Sequence, residues 1–130
     1  MPLLERLRDK TGESVQLYVR EGNERRCIAG LESAHGLRTI VRVGAMLPLN
    51  VGSAGAVLRS NDDGWKQSVE EREKGVASVS APVMVNGRVV AAVSVSGPID
   101  RTTRNPGKQY ADNVMRAAAA ISRALKSEGE

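Results

Sequence analysis

The chain has 130 residues, 19 of them basic and 15 acidic, for a formal net charge of +4: one domain's length, with a charge too modest and too interspersed to track a nucleic-acid backbone. Phe is absent and the only aromatic residues are Tyr18, Trp65 and Tyr110, which excludes the stacking platform that single-stranded nucleic acid needs. No apolar run reaches membrane-spanning length, the opening MPLLERLRDK lacks the apolar segment of a secretion signal, and the lone Cys27 cannot form an internal disulfide, so a cytoplasmic setting is expected.

Leu3, Leu4 and Leu7 among charged neighbours have helical spacing, and Thr11-Gly12 ends the pattern. Residues 14–20 alternate with Val15, Leu17 and Val19 on one face, turn at 21–24, and return as a strand over 26–32. Residues 37–43, LRTIVRV, are again strand-like, and 44–48 break the run. Residues 49–58, LNVGSAGAVL, read as a loop and a short helix beginning near Ser53. With Ser53 as N-cap, the amides of Gly55 and Ala56 are unpaired donors that suit a carboxylate, although the same small residues equally serve close packing. A turn over 59–64 leads to an edge strand over 65–69 and a charged connection over 70–74.

Residues 75–99, GVASVSAPVMVNGRVVAAVSVSGPI, are two Val-rich runs joined at Asn86-Gly87, the dipeptide best suited to a two-residue hairpin turn. That turn pairs Val85 with Arg88, Met84 with Val89 and Val83 with Val90. One face then carries Met84, Val89, Ala91, Val93 and Val95, and the other carries Val83, Val85, Val90 and Ala92 before changing to Ser94 and Ser96. The two serines either line a small polar cavity or sit on a partly exposed face. A proline-interrupted loop over 97–107 follows, then a helix over 108–127 whose stripe is Val114, Ala117, Ala118, Ile121 and Leu125. This order of elements implies an α/β (α+β) sandwich, a central antiparallel sheet flanked by helices.

Reacting groups are scarce. His35 is the only histidine, no nucleophile-elbow signature is present, and His35 with Cys27 falls short of a zinc site. The glycines near residue 52 lack the Lys-Ser/Thr ending of a P-loop, and the adjacent Glu70 and Glu71 point differently on most backbones. Neither an enzyme nor a metal or cofactor is expected. Two readings remain, a sensory domain with a pocket for a small polar ligand and a dimerisation module without one.

The segments LPLNVGSAGAVL, EREKGVASVSAPV and NGRVVAAVSVSGP, with the Ala-rich helix ending ISRAL, resemble the effector-binding domain of the IclR family of bacterial transcription regulators. The opening TGESV and LYVREG, and CIAGLES through LRTIVRVG, match as well, so the resemblance spans nearly all of residues 1–130. It implies a GAF-like fold, a homodimer or homotetramer, a small-molecule effector, and an upstream winged helix-turn-helix domain, absent from this chain, that binds operator DNA. Relatives that bind small carboxylates imply a pocket at Gly55, Ala56, Ser68, Ser78, Ser94 and Ser96. Ser68 stands where an acid and Ser78 where a cysteine occurs in such relatives, and no lysine or arginine is required. For Ser78 to join Ser94 and Ser96 the hairpin needs one extra residue, expected as a bulge near Ala81-Pro82. Relatives also carry a few dozen residues between the segments matching AVLRS and DGWKQS, so a lid segment near 60–63 is expected to be omitted here rather than lost.

Overall fold

The computed structural model describes residues 2–33 and 41–128, the last without its side chain. Helix α1 (Pro2–Thr11) leads into β1 (Ser14–Glu21) and β2 (Glu24–Leu31). Strand β3 (Met46–Pro48), helix α2 (Gly52–Ser60) and strand β4 (Lys66–Val69) follow. The long hairpin is β5 (Val76–Val85) and β6 (Arg88–Pro98), and the chain ends on α3 (Ile99–Thr102) and α4 (Pro106–Glu128). The six strands form one sheet in the order β3-β2-β1-β6-β5-β4, every neighbouring pair antiparallel. The molecule is thus an α+β fold whose sheet is flanked by helices, as its pattern of elements implies.

The sheet buries both faces. On one, Val15, Leu17, Val79, Ala81, Val83, Ala91, Val93 and Val95 meet Leu4 and Leu7 of α1 and Val114, Ala118 and Ile121 of α4. Small Ala and branched Val side chains let the long helix lie close to the strands. On the other, α2 packs through Ala54, Val57 and Leu58 onto Tyr18, Cys27, Leu49 and Ala92. Leu125, expected on the buried stripe of α4, is 41% exposed, because the helix runs on past the sheet.

Several expectations need correction. The strand expected over 37–43 falls largely outside the described residues, and 41–43 carry no strand; the pairing segment is β3, whose Pro48 is accommodated because β3 is the sheet edge. The loop expected over 97–107 contains α3, and α4 begins at Pro106, the first-turn position where a missing N–H costs nothing. The hairpin turns at Asn86 (φ 53°) and Gly87 (φ 76°) and pairs Val85 with Arg88 and Met84 with Val89, as the dipeptide implies. Immediately beyond, Val83 pairs with Ala91. The extra residue is therefore Val90 of β6, not a bulge at Ala81-Pro82, which sits in regular register opposite Val93 and Ala92. From the bulge onward Val83 joins the α4 core and Val89 turns to the α2 side, while Val90 is left 41% exposed. The slip places Ser78 opposite Ser96 and Ser80 opposite Ser94.

Candidate functional site

On the α2 face, period-two alternation brings Ser78 and Ser80 of β5 alongside Ser94 and Ser96 of β6. The edge strand adds Ser68, opposite Ser78, and α2 lays Ser53 across them. The hydroxyls form one row: Ser68 to Ser78 (2.8 Å), Ser78 to Ser53 (2.6 Å), Ser53 to Ser80 (2.7 Å) and Ser80 to Ser94 (2.5 Å). Four links use four of the five hydroxyl protons, so one proton remains, and reversing every donor moves it from one end of the row to the other. Ser96 stands apart and donates to Gln16 Oε1 (3.2 Å).

Above the serines is a cavity of about 40 Å³, lined among others by Gln16, Tyr18, Arg25, Gly52, Ser53 and Glu71. One water needs roughly 10–15 Å³ on the same measure, so there is room for about three water-sized groups. Helix α2 points its N-terminus here. Its N-cap is Val51, with extended backbone and no side-chain cap. The exposed amides are instead taken by distant side chains, Gly52 N–H by Glu71 Oε1 (3.0 Å) and Ser53 N–H by Ser68 Oγ (3.2 Å).

Of the charged residues that line the cavity, Arg25, Glu71, Arg72 and Glu73, Arg25 is the buried one, at 3% exposure. Its Nη1 donates to the Pro48 and Val51 carbonyls (both 2.6 Å), and its guanidinium carbon lies 5.0 Å from the centroid of the Tyr18 ring. Its Nε is buried without a partner. Burial lowers the Arg25 pKa from its ordinary value, and burial pushes the Tyr18 phenol up to about 12 despite the opposing pull of the guanidinium.

Of the residues expected at a site, Ser68, Ser78, Ser94 and Ser96 all line the cavity, whereas Gly55 and Ala56 do not. The helix starts one residue before Ser53, and with Val51 as N-cap the Gly55 amide pairs with the Val51 carbonyl inside the helix. The first-turn amides without a partner inside the helix are thus those of Gly52, Ser53 and Ala54, the first two held by Glu71 and Ser68. Gly55 serves the packing role, since a Cβ there would overlap the Leu49 carbonyl oxygen. Ser53 is no cap; its hydroxyl joins the serine row. Ser80, Gln16 and Tyr18 join the site without having been expected there, although Ser80 is in step with Ser78 and the other two alternate with Val15 and Leu17. Nothing in the pattern around Arg25 announces its burial. No group of three metal-ligating side chains occurs among the described residues, and none of their helices is long and apolar enough to cross a membrane.

The family profile described as bacterial transcriptional regulator IclR C-terminal matches residues 1–64 and 57–123, two segments that overlap across the end of α2 and the link to β4. The HTH-type transcriptional repressor AllR of Salmonella typhi is 26% identical over 162 aligned positions, covering 95% of this chain and 60% of the repressor. The chain thus spans about three-fifths of the length of such curated relatives. Among solved structures, the C-terminal domain of a transcriptional regulator from Vibrio cholerae is 26% identical, with a TM-score of 0.82 over 92% of this chain and 91% of that one. An IclR-family regulator from Rhodococcus sp. is 28% identical, with a TM-score of 0.85 over 95% of this chain and 61% of that one.

Proposed function

The chain belongs to the IclR family of bacterial transcriptional regulators as a C-terminal effector-binding domain, a regulatory unit and not an enzyme, and on that premise we propose that the serine-lined cavity senses a small organic acid. The observation that carries this reading is the convergence of the serine row with the N-terminus of α2, which supplies neutral donors and a helix dipole to an anion in a small cavity. A buried carboxylate needs such bonds to offset its lost hydration. The cavity's size favours short keto and hydroxy acids over aromatic ones.

In this reading the fold is GAF-like and the domain works as a homodimer or homotetramer. It biases a winged helix-turn-helix domain of the same protein between states of different operator affinity; the AllR relatives' description as HTH-type repressors supports the link. A lid segment between Ser60 and Gly64 completes the cavity. The division of the family match into two segments that overlap over residues 57–64, and alignments that run to 162 positions, support it. A tryptic peptide from the native protein with the mass of SNDDGWK, residues 60–66, would overturn the lid.

The experiment is a calorimetric screen of short keto and hydroxy acids and substituted benzoates, repeated on Ser94→Ala and Ser96→Ala. Each lost hydrogen bond should cost about 1 to 2 kcal/mol, roughly a five- to thirtyfold weaker complex. Absence of binding by every acid refutes the sensor and leaves the dimerisation module. That module draws on the exposed Ile28, Val43 and Val90, and sedimentation as a monomer alone would eliminate it.

A further inference from the structure

We propose that Arg25 is the anion-recognising residue of the cavity, its guanidinium pairing with the carboxylate of the bound acid beside the first turn of α2. This rests on the reading of the cavity as an acid site. Arg25 is almost wholly withdrawn from water, yet its protein partners are two neutral carbonyls and an aromatic face. Among the described residues no carboxylate forms an ion pair with it, its other side-chain partner is the Tyr18 phenol, and Nε is buried without a partner. A buried cation lacking a counter-charge is costly, and an anion that completes the remaining donors recovers much of that cost.

The place for that anion is built. A Cβ at Gly52 would stand 3.2 Å from Arg25 Nη2, and one at Gly55 would stand 3.1 Å from Nη1, so the two glycines of GSAG open the seat the guanidinium occupies. Gly52 also supplies a helix-start N–H that has no partner within the helix and donates to Glu71 Oε1 at 3.0 Å. A ligand carboxylate at this spot takes the Gly52 N–H in place of Glu71 and faces the fork of Arg25. Its remaining oxygen atoms then reach the serine row, where the movable hydroxyl proton is delivered. Arg25 discriminates acids from isosteric amides, while the serines read the uncharged end.

The test is calorimetry on the whole chain with acetate, glycolate, lactate and malonate as probes, each beside its amide. For the acid that binds best to the native protein, Arg25→Gln should weaken binding about tenfold or more and Arg25→Lys should restore part of it, with the amide binding neither. Equal affinity of native and Arg25→Gln protein for an acid that Ser94→Ala weakens overturns the role of Arg25 and leaves the acid site standing. No binding by any acid removes both. Should Arg25→Gln fail to fold, the Nε–H nuclear magnetic resonance of Arg25 in native protein decides. Its displacement by the acid, and not by chloride at equal ionic strength, supports the pairing; an unmoved resonance overturns it.

Discussion

Replacement of Glu13 by Ala should remove about 3 kcal/mol of folding stability. Glu13 lies in the short link between α1 and β1 and is 1% exposed. Its carboxylate accepts from Arg101 Nη2 (2.8 Å) and Nε (3.0 Å) on α3 and from the Tyr110 hydroxyl (3.0 Å) on α4, so one side chain ties the start of the sheet to two later helices. Breaking a buried ion pair from one side costs about 3–5 kcal/mol. The Arg101 side chain is 27% exposed and can turn partly to water, which places the expected loss at the lower end, near 3 kcal/mol. At about 2.1 cal/mol/K of unfolding entropy per residue, a domain of this size would melt about 10 °C lower. Urea unfolding at unchanged m-value and a circular-dichroism melt measure this directly. Glu13→Gln, which keeps an acceptor for Tyr110, should lose about half as much. A loss below about 1 kcal/mol for Glu13→Ala would show that the clamp is surface-like and refute the reasoning.

Tyr18 has its pKa raised from 10.0 to about 12 by burial, so its contribution to stability is complete below the unfolded value and is lost as pH rises from about 10 to 12. The full shift is worth about 3 kcal/mol, and unfolding free energies measured across that range should fall more steeply for native protein than for Tyr18→Phe; parallel curves would contradict it. Burial also raises the pKa of Cys27, whose Sγ donates to the Ala29 carbonyl at 3.4 Å. Its labelling by an aromatic disulfide should therefore be slow in native buffer and immediate in denaturant, and a native rate matching free cysteine would show that the α2 face is open.

The parts of this structure that were legible are those whose cause is local. Asn86-Gly87 makes its turn because both residues accept positive φ, and the stripe from Val114 to Ile121 buries because helical period and composition agree. The bulge falls at Val90 and not at Ala81-Pro82 because pairing register answers to what both faces bury. Val90 is apolar and β-branched, the kind of residue a strand pattern assigns to the core, yet it is the one extruded. Arg25 was invisible for a related reason: a charged residue in a strand reads as solvated, and its burial depends on space opened by Gly52 and Gly55 on a distant helix. The N-cap of α2 is Val51, two residues before Ser53, which moves the amides without a partner inside the helix from Gly55 and Ala56 back to the first turn from Gly52.

The centre of the sheet joins β1 to β6, and the Ser96–Gln16 bond there spans 80 residues of chain. The two flanking hairpins, β1 with β2 and β5 with β6, are each closed by a short turn. Loop-closure entropy therefore makes the central seam the slow step, expected to zip up after both hairpins exist. The cavity straddles that seam, with Gln16, Tyr18 and Arg25 contributed from one side and Ser78, Ser94 and Ser96 from the other. No half of the chain holds the constellation, so under the proposed acid site a nascent or clipped domain would be blind to a ligand. An acid bound as proposed would join the two halves across that seam, making each bound molecule a brake on unfolding as well as a signal.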